Sequence, residues 1–358
     1  MAGMTMAGRD HGGAAPRVCV AGAGAWGTAL AILAGRAGLS VTILARSPAA
    51  AARIDAARES PRLPGRVLPP SIRVTGDPAE ALAGAQMLLL VTPSQAVRAE
   101  CERIAPHAAP DLVAILCAKG VERETGLLMS EVVAEALPGR PVAALSGPSF
   151  ADEAADGLPT AVTIACADLD VARAAAAALG HGAFRPYAGA DIIGVELGGA
   201  CKNVIAIACG ACEGLGLGAN ARAALIARGL AEIGALGAAM GADPATLAGL
   251  AGLGDLTLTC TSPKSRNMAF GIALGRAGGL AAPNMGANMG ANAASDPTPT
   301  LAAPTLAEGA ENAASVTDLA RTHGVTMPIC EAVRAVLDRR IDLHCAIEGL
   351  LARPLRVE

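Results

Sequence analysis

Apolar and polar positions are arranged in two different ways along this chain. From Arg17 to about Val162, short apolar runs alternate with alanine-rich stretches that have helical spacing. The apolar runs read RVCVA, SVTILA, MLLLVT, LVAILC, PVAALS and TAVTIA. Strands that alternate with helices form a parallel sheet covered by helices on both faces. The pattern therefore predicts an α/β domain in the first half of the chain.

After about Gly194 the short apolar runs stop and longer helical periods replace them. GVELGGACKNVIAIACGACEGLG, ARAALIARGLAEIGALGAAMG and the stretch 327–351 read as helices. Between the last two, NMGA occurs twice and is followed by Ser, Asp, Thr and Pro, a composition that cannot bury a core. We predict a Rossmann-type α/β dinucleotide-binding domain followed by an all-α substrate and catalytic domain. The predicted bounds are a disordered tail at 1–16, the first domain at 17–194, the second at 195–358, and a flexible insert at 279–303.

Composition and charge narrow the class of protein. The net charge is −4, so no basic surface argues for a nucleic-acid partner. Charges or glycines interrupt every long apolar stretch, which argues against a protein integral to the membrane. The first residues, MAGMTMAGRDHGGAAP, lack the apolar core of a signal peptide. We expect a cytoplasmic protein, and the apolar helices of the second half are compatible with a homodimer.

The ten cysteines lie in apolar contexts, as reduced and buried cysteines do in the cytosol. Only Cys209 and Cys212, in CGAC, have the C-x-x-C spacing. No second pair or histidine cluster completes a zinc site, and no thioredoxin-like strand precedes them. We interpret the pair as packing residues of a helix and predict no metal site.

A glycine-rich turn follows the first predicted strand. In AGAGAWGTAL, Gly22, Gly24 and Gly27 have the G-x-G-x-x-G spacing, with Ala25 and Trp26 between the last two. Glycines at a strand-to-helix turn let a pyrophosphate approach bare N–H groups at a helix N-terminus. The motif alone is weak, but its position after a strand and before a helix favours dinucleotide binding.

The second predicted strand lacks the acidic residue that usually binds the ribose 2′-hydroxyl of NAD. SVTILA ends at Ala45 and is followed by Arg46, which suits a 2′-phosphate through a charge-assisted contact. We therefore favour NADPH over NADH as the cofactor. The alternative is an exposed arginine after a strand, with specificity set elsewhere.

Only three of the 28 basic residues are lysines, namely Lys119, Lys202 and Lys264. In a chain biased toward arginine, a lysine persists where a site needs an amine, because arginine does not readily exchange its proton. Lys119 follows a sheet strand, at the edge where α/β sheets bind ligands. Lys202 lies in an apolar helix beside Asn203, which we also expect to contact substrate. We interpret Lys264 as a solvated loop charge.

A possible phosphate site follows in the second half. The stretch AGLGDLTLTCTSPKSRNMAFG contains Asp255 and ends in Ser265, Arg266 and Asn267. Ser265 is placed to cap the next helix, so that Arg266 and Asn267 would lie at a helix N-terminus that favours an anion. The alternative is a capped helix with a surface arginine. The loop LSGPSFADEA, at another strand end, could line the same cleft.

Taken together, several motifs resemble one family. GAGAWGTALA, SPRLPG, CAKGVE, LSGPSFADE, CKNVIAIACG, AALIARGLAE, GLGDLTLTCTSPKSRN and LAEG are similar, in this order from about Arg17 to about Leu351, to bacterial NAD(P)-dependent glycerol-3-phosphate dehydrogenases. The resemblance implies NAD(P)H-dependent reduction of dihydroxyacetone phosphate to sn-glycerol 3-phosphate, for glycerophospholipid synthesis.

The resemblance also implies roles for individual residues. Lys202 would be the general acid, and Asp255 would hold the active-site amine and a substrate hydroxyl. The implied substrate contacts are Lys119, Gly147, Ser149, Ser265, Arg266 and Asn267. The implied cofactor contacts are the glycine turn with Ala25 and Trp26, Arg46, Lys119, Ala151, Arg266, Leu306 and Glu308. Three features depart from the family, namely Ala25 where a serine is usual, the insert before Glu308, and the Cys209 and Cys212 pair where alanine-like residues are usual.

Three rival interpretations remain. A hydroxyacyl or ketopantoate reductase of the same superfamily would not need the Ser-Arg-Asn loop. A non-catalytic NAD(P)-sensing protein could lose the amine that this chain retains at Lys202. A helical scaffold would not explain the glycine turn after a strand.

Overall fold

The computed structural model describes residues 15–278 and 307–353. The predicted insert at 279–303, the proposed contact Leu306 and nearly all of the predicted tail lie outside the described residues. The chain divides into two compact units. The first comprises the described residues up to Gly199 together with Met240–Asp255, and the second comprises Ala200–Ala239 and the described residues from Leu256 onward. This division does not test the predicted domain bounds at 17–194 and 195–358, which remain predictions.

The first unit is built on a single eight-stranded sheet with the order β3-β2-β1-β4-β5-β6-β7-β8. Its strands are Arg17–Ala21 (β1), Ser40–Leu44 (β2), Arg73–Thr75 (β3), Met87–Leu90 (β4), Val113–Leu116 (β5), Val142–Ser146 (β6), Thr160–Cys166 (β7) and Phe184–Gly189 (β8). Neighbouring strands are parallel except for β6 and β7, which pair antiparallel. The predicted Rossmann-type fold is confirmed, but the expectation of a wholly parallel sheet is wrong at this pair.

Helices connect most of these strands. They are Ala25–Arg36 (α1), Pro48–Ala57 (α2), Pro78–Leu82 (α3), Val97–Ile104 (α4), Met129–Ala136 (α5), Ala151–Ala155 (α6) and Leu169–Leu179 (α7). Short 3-10 turns cover Ser94–Ala96 and Ala105–His107. The N-terminal third of Ile192–Gly214 (α8), up to Gly199, completes the unit together with the helix Pro244–Ala248 (α10) and a π-helical turn at Leu250–Gly254.

The central strands are apolar on both faces because helices cover both faces of the sheet. Val18 and Val20 of β1 belong to a core on one side of the sheet, and Cys19 and Ala21 belong to a core on the other. A fully buried parallel strand needs apolar residues at every position rather than at alternate ones. This explains why runs such as MLLLVT were readable in the sequence.

The second unit is helical. It contains the rest of α8 with Gly218–Met240 (α9), Asp255–Thr261 (α11), Arg266–Arg276 (α12), Glu308–Thr322 (α13), Pro328–Leu337 (α14) and Leu343–Leu351 (α15). The stretch 327–351, predicted to be helical, forms two helices, α14 and α15. Glycines allow close helix packing here, since a Cβ atom built on Gly210 of α8 would lie 2.2 Å from the Met268 oxygen of α12.

Helices α8 and α9 are long and apolar enough to cross a membrane by length and composition. In α8, 83% of the most apolar window is buried inside the protein, as in a core helix of a soluble protein. In α9 the buried share is 28%. The sequence did not lead us to expect either candidate.

All ten cysteines are free thiols, and nine of them are buried, including Cys209 and Cys212. Burial raises the pKa of Cys19, Cys117 and Cys201 to about 12. Such thiols are poor nucleophiles because the thiolate is the reactive form. Cys345 on α15 is exposed, and its hydrogen bond to Asp342 raises its pKa.

A buried carboxylate joins α9 to α14. Glu232 is 9% exposed and accepts the N–H groups of Ile329, at 2.7 Å, and Cys330, at 3.3 Å. Burial raises the pKa of Glu232 to about 7, against the opposing effect of these hydrogen bonds. The folded state therefore prefers the neutral acid at pH values below about 7.

This raised pKa predicts a pH-dependent stability. The contribution of Glu232 is fully present below its ordinary pKa of 4.5 and is lost as the pH rises toward about 7. Replacing Glu232 with glutamine removes this loss, so the wild type should weaken relative to the variant by on the order of 3 kcal/mol across that window. Urea unfolding at pH 5 and pH 8 measures the difference. Gly234→Ala is the control, because an added Cβ there meets nothing within 4 Å, and its free energy of unfolding should change with pH as that of the wild type does. If the wild type and Glu232→Gln differed in free energy of unfolding by the same amount at pH 5 and pH 8, the assignment would be contradicted.

Candidate active site

The glycine turn forms a tight bend between β1 and α1. Gly22 has a φ of +120°, which favours glycine, and its N–H donates to the Leu44 oxygen of β2 at 3.0 Å. A Cβ on Gly27 would lie 2.0 Å from the Gly22 oxygen, so this position has no room for a side chain. A Cβ on Gly24, by contrast, would meet nothing within 4 Å.

The open face at Gly24 fits a dinucleotide. Gly24 is the N-cap of α1, has no side chain to cap the helix, and is followed by a first turn without acidic residues. The first N–H groups of a helix attract anions through their unpaired hydrogens and the helix dipole. Ala25 and Trp26 begin α1 and pack half-buried against the core. These residues can therefore hold a pyrophosphate.

The turn is held from behind by a residue that the sequence analysis did not single out. The Ser60 hydroxyl is fully buried and donates to the Ala23 oxygen at 2.9 Å. The only available signal was its place in SPRLPG, a motif quoted for the resemblance. Ser60 thus supports the predicted cofactor loop from a fully buried position.

Arg46 lies at the same edge of the sheet as the glycine turn. It is exposed two residues after β2, and β2 pairs with β1 so that Leu44 faces Ala21. Ser47 caps the following helix by accepting the Ala50 N–H at 3.2 Å. An arginine in this position can reach a phosphate attached to a ribose beyond the end of β2.

At the carboxyl ends of β5 and β6, three polar side chains meet. The Lys119 ammonium lies 2.6 Å from Asp255 Oδ2, and the Ser146 hydroxyl donates to the same oxygen at 3.4 Å. Asp255 is 1% exposed, so its charge is held by these groups rather than by water. The structure thus joins Lys119 and Asp255, both predicted site residues, and adds Ser146.

The loop that carries Lys119 is held in place by the side chains of Gln95 and Arg98, which lie just before and at the start of α4. Gln95 donates to the Val121 oxygen at 2.9 Å and accepts the Arg123 N–H at 3.1 Å. Arg98 makes two hydrogen bonds to Glu122, which hold the pKa of that carboxyl below its ordinary value. The loop therefore presents Lys119 from a defined backbone.

Gly147, Ser149 and Ala151 follow β6 in one turn. Gly147 has a φ of +148°, and a Cβ there would lie 2.8 Å from Val162 Cα. The Ser149 hydroxyl donates to the Gly147 oxygen at 3.0 Å, and Ala151 begins α6. This turn lies at the same carboxyl edge of the sheet as Lys119.

In the second unit, Lys202 is buried on α8. It is 7% exposed, and its ammonium donates to the Thr259 hydroxyl of α11 at 2.9 Å. Thr259 was missed in the sequence, where LTLTC looked like an apolar helix. Its spacing of four residues from Asp255 was the signal that could have indicated it. The hydroxyl orients an ammonium that would otherwise have many rotamers.

Asn203 and Asn267 are linked to each other and to α13. Asn267 Nδ2 donates to Asn203 Oδ1 at 2.9 Å, and Asn267 Oδ1 accepts the Gly309 N–H at 2.9 Å. A Cβ on Gly309 would lie 2.3 Å from the backbone oxygen of Asn203, so only glycine fits there. Gly309, like Ser60, is a supporting residue that sequence reasoning missed.

Ser265 and Arg266 lie at the start of α12. Ser265 is the N-cap and accepts the Met268 N–H at 3.3 Å, as the sequence predicted. The Arg266 side chain is 64% exposed and lies 3.5 Å from Glu308 Oε1 at the start of α13. An exposed guanidinium beside a helix N-terminus is suited to a phosphate. Lys264 is exposed in the preceding loop.

Within residues 15–278 and 307–353, no group of three or more His, Cys, Asp or Glu side chains could hold a metal ion. The candidate site residues described above present ammonium, guanidinium, carboxylate, hydroxyl and amide groups. Such groups suit anionic ligands and proton transfer.

Comparisons with known proteins agree on one family. The model of the NAD-dependent glycerol-3-phosphate dehydrogenase N-terminus matches residues 17–172, and that of the C-terminus matches residues 191–348. The chain is 50% identical to a glycerol-3-phosphate dehydrogenase [NAD(P)+] of Rhodospirillum rubrum over 95% of this chain and 93% of the relative. The corresponding Caulobacter vibrioides protein is also 50% identical, over 96% of this chain and 98% of the relative.

Solved structures give the same result. A glycerol-3-phosphate dehydrogenase from Coxiella burnetii is similar with a TM-score of 0.84 and 36% identity, covering 95% of this chain and 99% of that one. A PanE/ApbA family ketopantoate reductase from Ralstonia eutropha JMP134 is similar with a TM-score of 0.55 and 16% identity, covering 90% of this chain and 97% of that one. The second likeness concerns the fold alone.

Proposed function

This chain belongs to the NAD-dependent glycerol-3-phosphate dehydrogenase family, and from that membership we propose that it reduces dihydroxyacetone phosphate to sn-glycerol 3-phosphate with NAD(P)H, reversibly. The observation that carries the proposal is the buried Lys202 ammonium, held by Thr259 at 2.9 Å in a chain with three lysines. A buried amine without a chemical task would be costly to keep.

Bound nicotinamide supplies the hydride that reduces the substrate carbonyl carbon. Lys202 gives its proton to the carbonyl oxygen as negative charge develops there, and takes it back in the reverse reaction. Thr259 accepts one N–H of that ammonium and so fixes the direction of the remaining ones. Asn203, next along α8, contacts the substrate beside it.

We assign the remaining substrate contacts to groups with fixed positions. Asp255 orients Lys119 through their 2.6 Å ion pair, so that Lys119 can contact both substrate and cofactor. Arg266, with Ser265 and Asn267 beside it, binds the substrate phosphate. Binding a remote phosphate supplies energy that orients the small carbonyl group. Gly147 and Ser149 offer backbone and hydroxyl groups from the turn after β6.

The cofactor contacts are assigned to the glycine turn, Trp26, Arg46, Ala151 and Glu308. The space at Gly24 supports a pyrophosphate there, since a Cβ would fill it. We propose that Arg46 binds the 2′-phosphate of NADPH and sets a preference over NADH. Leu306 lies outside the described residues, so its assignment rests on the motif alone.

Replacing Arg46 with glutamine tests the cofactor preference. Loss of a hydrogen bond to a charged group costs about 1.5–3 kcal/mol, so NADPH affinity should fall roughly 10- to 100-fold while NADH affinity is unchanged. Fluorescence titration of each cofactor measures both values. The exposed Arg173 of α7 gives a matched control, because Arg173→Gln should leave the ratio at its wild-type value. An unchanged ratio in Arg46→Gln would place the specificity elsewhere.

The proposed reaction is tested by following NADPH absorbance with dihydroxyacetone phosphate and, separately, with ketopantoate. Turnover of the phosphorylated substrate alone supports the proposal. Turnover of ketopantoate alone would favour another reductase of the superfamily. Tight NADPH binding with no turnover of either would favour the sensor interpretation.

We further propose that the protein works in the cytoplasm, supplies glycerol 3-phosphate for glycerophospholipid synthesis, and is neither integral to the membrane nor bound to nucleic acid. The buried thiols and the high burial of α8 support a soluble protein in a reducing compartment. The low burial of the apolar α9 supports a homodimer. Fractionation of cells and light scattering of the purified protein test these assignments.

A further inference from the structure

The N-terminal third of α8 passes beside the Lys119–Asp255 pair at Gly199. A Cβ atom built on Gly199 would lie 3.3 Å from Lys119 Cγ and 3.3 Å from the Ser146 hydroxyl oxygen. These distances are shorter than most real Cβ contacts, so one methyl group would force its neighbours to move by a few tenths of an ångström. The helix backbone therefore forms one wall of the space that the Lys119 stem occupies.

The helix itself is not free to give way, because two other contacts fasten it. Glu196, one turn earlier, is 6% exposed and accepts both the N–H and the hydroxyl of Ser130 at the start of α5. A Cβ on Gly198 would lie 2.4 Å from the Ala251 oxygen, so α8 already touches the backbone of the turn that ends before Asp255. A methyl group at residue 199 must therefore displace side chains rather than the helix.

The side chains that a methyl group at residue 199 would displace, Lys119 and Ser146, are the ones that contact the Asp255 carboxylate. Lys119 reaches the carboxylate with its ammonium at 2.6 Å and Ser146 with its hydroxyl at 3.4 Å, and both touch the Gly199 position. A buried ion pair depends on good geometry, because Asp255 has almost no water to replace a lost partner. Confining the lysine stem therefore confines the ammonium.

We propose that Gly199 is a positioning residue, which lets α8 confine the Lys119 stem and so holds the Lys119 ammonium on Asp255. The proposal rests on the proposed function for its kinetic effect, since Lys119 and Asp255 are taken there as site residues. This role differs from plain helix packing. Gly210 is an example of plain packing, because an added Cβ there would meet backbone atoms only.

The test is a double-mutant cycle between Gly199→Ala and Lys119→Ala, read by kcat and KM for dihydroxyacetone phosphate and by thermal midpoint. Lys119→Ala removes the stem atoms that the new methyl group would meet, and leaves only the Ser146 hydroxyl, a small group that can rotate into the freed space. Gly234→Ala is the matched control, because it adds the same methyl group to a helix where a Cβ meets nothing within 4 Å. All variants are compared as the full chain.

We expect Gly199→Ala to lower kcat/KM about tenfold, as a small misplacement of a site group does, while the control stays at the wild-type value. In the Lys119→Ala background, Gly199→Ala should cause no further loss of kcat/KM. An equal loss in both backgrounds, or wild-type kinetics in Gly199→Ala, overturns the proposal.

The thermal midpoints keep the proposal separate from the proposed function. If Gly199→Ala fails to fold or lowers the thermal midpoint, the double variant should match Lys119→Ala alone, because the crowded stem is gone in both. Lys119→Ala is the reference because it already leaves the buried Asp255 without its cation. A double variant that is clearly less stable than Lys119→Ala alone overturns the proposal. The comparison of thermal midpoints does not depend on enzyme activity. If the wild type did not turn over dihydroxyacetone phosphate, the proposed reaction would be overturned, but the role of Gly199 would not.

Discussion

Replacing Lys202 with methionine is expected to lower kcat for dihydroxyacetone phosphate by roughly 10²- to 10⁴-fold, the usual contribution of a positioned acid. Methionine keeps the length and apolar stem of the buried side chain but has no proton to donate. Thr259 loses a donor, and its hydroxyl can rotate to another partner. We therefore expect NADPH affinity and the thermal midpoint to stay close to those of the wild type, so that the loss is chemical.

Two further variants sharpen this experiment. Lys264→Met makes the same change at an exposed loop position and should keep full activity. Lys202→Arg keeps a positive charge but holds its proton too tightly to act as an acid. If Lys202→Met retained activity within tenfold of the wild type, the proton would have to come from another group.

Replacing Gly27 and Gly24 with alanine should damage the protein in two different ways. At Gly27 the new methyl group meets the Gly22 oxygen at 2.0 Å, so the turn must open. Overpacking of this kind costs ~1–3 kcal/mol or more, and each 1 kcal/mol corresponds to roughly 2–4 °C in thermal midpoint. At Gly24 the methyl group meets no protein atom, so the fold should be kept.

The effect at Gly24 should instead fall on the cofactor. Its methyl group would occupy the space in which we place the pyrophosphate, and lost hydrogen bonds to a charged group cost about 1.5–3 kcal/mol. NADPH affinity should therefore fall roughly 10- to 100-fold, measured by titration, at an unchanged thermal midpoint. Wild-type affinity in Gly24→Ala would mean that the pyrophosphate lies elsewhere.

The sheet shows which parts of a fold a single sequence reveals. Six strands were predicted because burial on both faces requires apolar residues throughout. β3 was not, since Arg73–Thr75 is too short to form a run, and β8 was not, since FRPYAG contains proline and exposed residues at the edge of the sheet. The antiparallel direction of β7 was missed because apolar runs carry no information on strand direction.

Only part of the candidate site could be predicted from the sequence, because local patterns reveal some residue types and not others. Lys119, Lys202 and Asp255 could be singled out, because charged residues in apolar contexts are conspicuous. Their partners Ser146 and Thr259 could not, since a hydroxyl residue in a strand or helix looks like an ordinary core position. The pairing of Lys119 with Asp255 joins residues 136 positions apart, which no local pattern reveals.

The distribution of thiols has a practical consequence for measuring this enzyme. With nine cysteines inside the protein and Cys345 outside, a maleimide dye should attach at one position on α15 without prior removal of any cysteine. Because the Asp342 hydrogen bond raises the pKa of Cys345, labelling should be slow at neutral pH and faster in mildly alkaline buffer. Stoichiometry above one dye per chain would then report that the fold has opened, which makes the same reagent a simple probe of unfolding.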